Sequence, residues 1–153
     1  MKSSIIIAFL SICLFTTHIA ALDRECPLES DCMQKLCKNF NYIGGKEWDP
    51  FYLVADCKNN RGTYVHTKLN LKNCIANWDG RLEWTPRGGF QCGDCGVFHN
   101  SPDAFVGLRC EECKPLRFFP EGYKWSYINL SQGIWVNKDG ALSCYDMTGE
   151  WHN

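Results

Sequence analysis

The chain has 153 residues, and its 16 Lys and Arg side chains nearly balance its 17 Asp and Glu side chains. A near-neutral chain lacks the basic surface with which most proteins bind nucleic acids or anionic membranes, so we expect neither partner. The length fits one domain, and a hydrophobic content of 45% is typical of a globular protein and too high for a disordered one.

The first 21 residues predict a signal peptide. Lys2 precedes an apolar run from Ile5 to Phe15, which is too short to span a bilayer but has the length of a signal-peptide core. The small residues Ala20 and Ala21 then mark the cleavage site. We therefore expect a secreted, extracellular protein without membrane insertion, since no later stretch is long and apolar enough to span a bilayer. The alternative is a buried N-terminal helix.

Cysteine usage fits an oxidising compartment. The chain has 11 cysteines, of which Cys13 leaves with the signal peptide. The even number that remains predicts a disulfide framework in an exported chain. The count alone leaves the pairing open.

Period-two patterns predict strands in the first half of the chain. Phe51, Leu53, Ala55 and Cys57 form one apolar stripe, and side chains alternate in the same way over residues 63–69. Alternation of this kind is typical of half-buried strands.

Two kinds of turn signal follow the strands. Asn70 and Asn129 stand where an Asn side chain can cap a single helical turn. Asn129 also begins a glycosylation sequon, but its cap position favours a structural role. Asp79-Gly80 and Asp139-Gly140 predict hairpin turns, because Asp and Gly both tolerate positive φ.

These features occur twice in the same order. Residues 69–75 match 128–134 in the pattern Leu/Ile-Asn-Leu followed by Ile, and residues 77–82 match 137–142 in the pattern Asn-x-Asp-Gly-x-Leu. Upstream, Leu53–Cys57 aligns with Val106–Cys110 when the two cysteines are matched. Each copy predicts two strands, a helical turn and a hairpin, which is too small a unit to bury a core by itself. We therefore expect the two copies to pack together, with a surface loop between Cys110 and Ile128.

With this repeated pattern, the chain resembles the cyanovirin-N homology family. The resemblance covers residues 35–147, with repeats at about 37–86 and 92–146, after an N-terminal extension at 22–34 and before a C-terminal tail at 148–153. It implies an all-β, pseudo-symmetric two-repeat fold with short helical turns, in which the hairpins are exchanged between the repeats.

The resemblance also implies a lectin that binds mannose-containing glycans, of the high-mannose type, without a cofactor, a metal or catalysis. Each of its two sites, at opposite ends of the molecule, joins a hairpin turn to a strand end from another part of the chain. The first site would contain Asn77, Trp78, Asp79, Arg87, Glu111, Glu112 and Lys114. The second site would contain Lys35, Lys58, Asn59, Asn60, Asn137, Lys138 and Asp139.

These residue types suit a sugar, because carboxylates and amides can accept and donate hydrogen bonds to neighbouring hydroxyls. The ring of Trp78 could cover the apolar C–H face of the sugar. The alternative is that Asp79 and Asp139 only form their turns.

The family disulfides map to Cys37–Cys57 and to Cys92 or Cys95 with Cys110. The two motifs Cys92-x-x-Cys95 and Cys110-x-x-Cys113 have a spacing that would suggest a zinc ribbon in a cytosolic protein. In an exported chain we interpret them as two disulfides, each joining one cysteine of each motif.

No hydrolase signature is present, so we do not expect an enzyme. The alternative to a lectin is a secreted effector or protein-interaction module on the same fold with sugar binding lost. The additional cysteines and the insert between Cys113 and Lys124 favour that alternative. Because the hairpins are exchanged, we expect a monomer or a domain-swapped dimer.

Overall fold

The computed structural model describes residues 29–30, 32–44, 50–115 and 124–151. The predicted signal peptide and most of the insert after Cys113 lie outside these residues. Within them, no helix is long and apolar enough to cross a membrane.

Twelve strands and a few short helical turns form the described part of the chain, which confirms the predicted all-β class. The first repeat has an antiparallel sheet in the order β1-β2-β3 and a separate hairpin of β4 and β5. A helical turn, α1 (Met33–Leu36), precedes this sheet. The strands of the first repeat are β1 (Cys37–Ile43), β2 (Tyr52–Lys58), β3 (Tyr64–Asn70), β4 (Ile75–Trp78) and β5 (Arg81–Trp84).

The second repeat has the same order of elements. Its sheet runs β6-β7-β8, and a second hairpin is formed by β9 and β10 and extended by β11. The last strand, β12, joins the edge of β3 in the sheet of the first repeat. The strands are β6 (Cys92–Phe98), β7 (Gly107–Cys113), β8 (Lys124–Asn129), β9 (Trp135–Val136), β10 (Leu142–Cys144), β11 (Met147–Thr148) and β12 (Glu150–Trp151).

The apolar stripe of β2 faces the core, as its alternation predicts. Leu53, Ala55 and Cys57 are fully buried. Residues from the predicted N-terminal extension also contribute, since Met33 in α1 is fully buried and Glu29 N donates to Val136 O at 2.9 Å. Removing this apolar surface from water is the main favourable contribution to folding.

Each predicted asparagine cap is formed. The side chain of Asn70 accepts a hydrogen bond from Lys72 N, and that of Asn129 accepts one from Ser131 N. These bonds satisfy amide hydrogens that the first turn of a helix leaves without a partner. The cap is therefore a structural role for Asn129.

The hairpins are exchanged between the two sheets. Leu82 N in the first hairpin donates to Ser126 Oγ of β8 at 2.9 Å, and Leu142 N in the second hairpin donates to Thr67 Oγ1 of β3 at 3.2 Å. The two bonds join equivalent positions of the two repeats. Each hairpin is thus attached to the sheet of the other repeat.

A second pair of counterpart contacts lies beside these bonds. Cys74, just before the first hairpin, forms a disulfide with Cys144 in the second hairpin. At the corresponding place, a Cβ added to Gly133 would lie 2.7 Å from the ring of Trp84, so the indole packs directly on the glycine. One junction between the repeats is therefore covalent and the other is a close packing contact.

Three further disulfides join neighbouring strands. Cys37–Cys57 is the pairing that the resemblance implies, while the second sheet has Cys92–Cys113 and Cys95–Cys110. Each of the latter two joins one cysteine of each C-x-x-C motif. Cys32 is also disulfide-bonded.

The strand register corrects the alignment of β7 with β2. Tyr52 pairs with Asn70 in the first sheet, and Gly107 pairs with Asn129 in the second, so Gly107 is the counterpart of Tyr52. Matching Cys57 with Cys110 is therefore wrong: Cys110 corresponds to Ala55, two residues before Cys57, and a bulge between Cys110 and Cys113 makes Cys113 the counterpart of Cys57. The counterpart of Cys37–Cys57 is Cys92–Cys113, and the error arose because Cys110 is an additional cysteine placed where β2 has Ala55.

The hydroxyl of Thr67 provides a test of the exchange. Thr67 is fully buried, so Thr67→Val leaves the amide hydrogen of Leu142 without its acceptor. We expect a loss of about 1–3 kcal/mol in the free energy of unfolding, measured by denaturant titration.

Thr63→Val is the matched control, because Thr63 is exposed. Equal stabilities of the two variants would show that the bond to Thr67 does not anchor the second hairpin.

Candidate functional site

The second hairpin turn presents two charged side chains on a fixed backbone. Asn137 Oδ1 accepts hydrogen bonds from Asp139 N at 3.0 Å and from Ala141 N at 2.9 Å. These bonds hold the turn in one shape and use the carbonyl oxygen of the Asn137 side chain. The side chains of Lys138 and Asp139 remain exposed.

This turn lies directly against the loop between β2 and β3. Asn60 N donates to Lys138 O at 2.8 Å. Gly140 has φ 89°, and a Cβ added there would lie 2.5 Å from Val65 Cγ2 and 3.2 Å from Cys57 O. Gly140 is therefore needed both for its left-handed conformation and for the close approach of the turn to the loop.

The loop is itself held by an asparagine. Asn59 Oδ1 accepts hydrogen bonds from Arg61 N and Thr63 N, both at 3.0 Å. Lys58 Nζ lies 5.4 Å from the centroid of the Tyr64 ring. The structure thus brings five of the seven residues of the expected second site to one place. A sixth, Asn137, lies in the same turn and stabilises it through hydrogen bonds to its backbone. These five are Lys58, Asn59, Asn60, Lys138 and Asp139.

Lys35 has a different neighbourhood. Its Nζ lies 3.7 Å from Asp103 Oδ1, and both side chains line a groove of about 540 Å³ that Tyr64 also lines. Tyr64 is also a neighbour of Lys58, so its ring borders both the groove that Lys35 lines and the second site.

The first hairpin turn is tied to the second sheet through one side chain. Asn77 Oδ1 accepts from Gly80 N at 2.9 Å, while Asn77 Nδ2 donates to Gln91 O at 3.0 Å and to Lys114 O at 2.9 Å. Both amide hydrogens of Asn77 are therefore used within the protein.

Two side chains of the first turn face solvent. The Trp78 side chain is half exposed, and its indole nitrogen donates to Thr85 Oγ1 at 3.2 Å. Asp79 is exposed and has φ 51°, while Gly80 has φ 85°. Two consecutive left-handed residues make the tight hairpin turn that the Asp-Gly pair predicts.

The other residues expected at the first site have separate surroundings. Glu111 Oε1 lies 2.7 Å from Arg109 Nη2, and Glu112 lies over Gly93. Arg87 N donates to Asn73 O, and its guanidinium lies 3.4 Å from Asp146. The corrected alignment explains why Glu111 and Glu112 do not meet the turn. The counterparts of Lys58 and its neighbours follow Cys113, so Lys114 is the residue that meets the turn.

The C-x-x-C motifs form a compact sulfur cluster. The sulfur atoms of Cys92, Cys110 and Cys113 lie within 4.8 Å of one another. All three belong to disulfides, whereas a zinc ligand is a thiolate. The disulfides therefore account for the cysteine spacing.

Sequence reasoning missed a polar cluster on the outer face of the first sheet. Asp56 accepts hydrogen bonds from His66 at 2.7 Å and from Asn39 Nδ2 at 2.6 Å. The His66 and Asn39 bonds hold the pKa of Asp56 below its ordinary value. A lowered carboxyl pKa stabilises the fold above the ordinary pKa, and this contribution is lost as the pH falls through the lowered value. The only sequence signal was the outward position of Asp56 on β2 and of His66 on β3.

Gly140 offers a test of how the second site is assembled. Gly140→Ala forces a side chain into a left-handed residue and also against Val65 and Cys57. We expect a loss of about 2–4 kcal/mol of stability, from backbone strain and overpacking together.

Gly62→Ala is the matched control, because Gly62 has φ 77° but nothing lies within 4 Å of an added Cβ. It should show the strain alone, about 1–2 kcal/mol. Equal losses measured by thermal unfolding would mean that the turn does not dock on the loop.

Comparison with known proteins places this geometry in a family. The family model of the cyanovirin-N homology (CVNH) domain matches residues 34–143. Among curated proteins no match is found. Three similar solved structures are a CVNH protein from Gibberella zeae, microvirin in complex with mannobiose, and a variant of MoCVNH3 in complex with (N-GlcNAc)4.

The three structures share the fold with this chain at low sequence identity. The Gibberella zeae protein is 24% identical with a TM-score of 0.57, covering 74% of this chain and 97% of its own. Microvirin is 23% identical with a TM-score of 0.51 and the same two coverages. The MoCVNH3 variant is 12% identical with a TM-score of 0.51, covering 78% of this chain and 100% of its own. Because the family model spans most of the chain, the protein belongs to the cyanovirin-N homology family, whose members are lectins.

Proposed function

We propose that this protein is a secreted lectin that binds mannose-containing glycans non-covalently at two sites, one at each exchanged hairpin turn. The second turn would act with Lys58, Asn59 and Asn60, and the first turn would act with the residues after Cys113. Family membership supports a glycan ligand, and so does the complex of microvirin, a protein of the same fold, with mannobiose. The disulfide framework fits an oxidising, extracellular compartment.

The observation that carries the proposal is the docking of the second turn on the β2–β3 loop. Asn60 N bonds to Lys138 O at 2.8 Å, which holds the backbone of the turn against that of the loop, and the side chains of Lys138, Asp139 and Asn60 are all exposed. Together they offer a carboxylate acceptor, an ammonium donor and an amide that does both. Neighbouring sugar hydroxyls need this mixture of donors and acceptors.

The two sites differ in the groups that they leave free. At the first turn, Asn77 donates its side-chain amide hydrogens to the backbone oxygens of Gln91 and Lys114. Trp78 and Asp79 are therefore the exposed groups there, an aromatic face and a carboxylate. We infer that the first site combines stacking against Trp78 with hydrogen bonds to the Asp79 carboxylate, whereas the second depends on charged hydrogen bonds alone.

Neither site encloses its ligand, so we expect a modest affinity for each. A hydrogen bond in such a wet site contributes about 0.5–1.5 kcal/mol net. Two sites on one rigid body can still bind a branched glycan surface strongly, because the second binding event is intramolecular.

Calorimetry with mannobiose tests the proposal. We expect two sites in the wild-type protein, and one site in each of the variants Asp79→Asn and Asp139→Asn. Glu150→Gln is the control, because Glu150 is exposed on β12 and pairs with Lys68 rather than with either turn.

Unchanged stoichiometry in both Asp variants would refute the site assignment. A folded wild-type protein that gives no heat with mannobiose or oligomannose would refute the glycan specificity and favour the protein-interaction module.

A further inference from the structure

An exposed pair of aromatic rings lies on the outer face of the second sheet. Trp125 and Tyr127 are adjacent outward positions of β8, and 66% and 57% of their surfaces are exposed. Their ring centroids are 6.3 Å apart and the ring planes differ by 14°. Two adjacent aromatic rings exposed to water form a contiguous apolar patch, which is a candidate interaction site.

The first repeat supplies an internal comparison. Val54 pairs with Lys68 in the first sheet, and Arg109 pairs with Tyr127 in the second, so Lys68 is the counterpart of Tyr127. By the same register, His66 is the counterpart of Trp125. The fold therefore accepts a basic and a weakly basic side chain at these two positions, and the aromatic pair is a property of the second sheet alone.

Polar groups lie beside the aromatic pair on the same face. Arg109 and Glu111 both point outward from β7 and are joined at 2.7 Å. On β6, Gly96 pairs with Arg109, and nothing lies within 4 Å of a Cβ added to Gly96. The face thus combines apolar rings, a donor, an acceptor and open space across neighbouring strands.

We propose that this face is a third glycan site, and that it binds a β-1,4-linked chain of glucose or N-acetylglucosamine units. In such units the ring substituents are equatorial, so each ring presents flat C–H faces that can stack on an aromatic ring. The hydroxyls at the rim of the sugar then meet Arg109 and Glu111, which form charge-assisted hydrogen bonds. Mannose stacks less well, because its axial 2-hydroxyl places a polar group on one face.

This site extends the proposed lectin function, but it uses neither hairpin turn. The proposal of the mannose sites and the proposal of the third site can therefore be refuted independently. The mannose sites depend on residues such as Asp139, whereas the third site depends on Trp125 and Tyr127.

The test replaces the aromatic pair by its counterparts from the first repeat, in the double variant Trp125→His/Tyr127→Lys. Calorimetry with cellotetraose, with the tetramer of N-acetylglucosamine and with mannobiose is compared for this variant and the wild type. We expect binding of at least one β-1,4 tetramer to weaken by about tenfold or more, since each stacked ring contributes a factor of a few. Mannobiose binding and the thermal unfolding midpoint should stay unchanged.

Trp151→Ala is the matched control, because Trp151 is 53% exposed on β12 of the other sheet. It should bind the β-1,4 tetramers like the wild type.

Three results would overturn the proposal. The first is a wild type that binds neither β-1,4 tetramer, and the second is equal binding by the wild type and the double variant. The third is a wild type that sediments as a dimer while the double variant is a monomer, since a second copy would then occupy the face.

Discussion

The structure depends on the exchange of hairpins between two repeats that are each too small to bury a core. At one junction the exchange is covalent, through Cys74–Cys144, and at the other it is the packing of Trp84 on Gly133. The Cys74–Cys144 disulfide closes a sequence separation of 70 residues, against 15 for Cys95–Cys110. In the chain-entropy model the longer closure gives the larger stabilisation, about 4 kcal/mol.

The same exchange determines where the candidate sites lie. Each hairpin turn is placed on the strand ends of the other repeat, so each site combines segments that are distant in sequence. At one turn the backbone makes the connection, through Asn60 and Lys138, and Gly140 allows the close approach. At the other turn the side chain of Asn77 makes it. Two related turns are therefore fixed by different bonds and leave different groups exposed.

Local patterns in the sequence predicted much of the fold. Alternation predicted the buried face of β2, the positions of Asn70 and Asn129 predicted the helical caps, and Asp-Gly pairs predicted the hairpin turns. These signals work because each depends on the conformational preferences of a few neighbouring residues.

Sequence reasoning failed where the answer depended on strand register or on partners from the other repeat. Matching Cys57 with Cys110 shifted β7 by two residues, because cysteines are prominent in a sequence while a strand register is not. That shift placed Glu111 and Glu112 at the first site, where the structure has Lys114. The Cys74–Cys144 pairing was missed for a different reason, because these residues meet only after the hairpins are exchanged.

Mass-spectrometric mapping of the disulfides in the unreduced monomer tests the central claim most directly. The account predicts a Cys74–Cys144 link between peptides of the two repeats, together with Cys92–Cys113 and Cys95–Cys110 in the second sheet. A Cys74 or Cys144 paired within its own repeat, or a Cys92–Cys110 bridge, would contradict it.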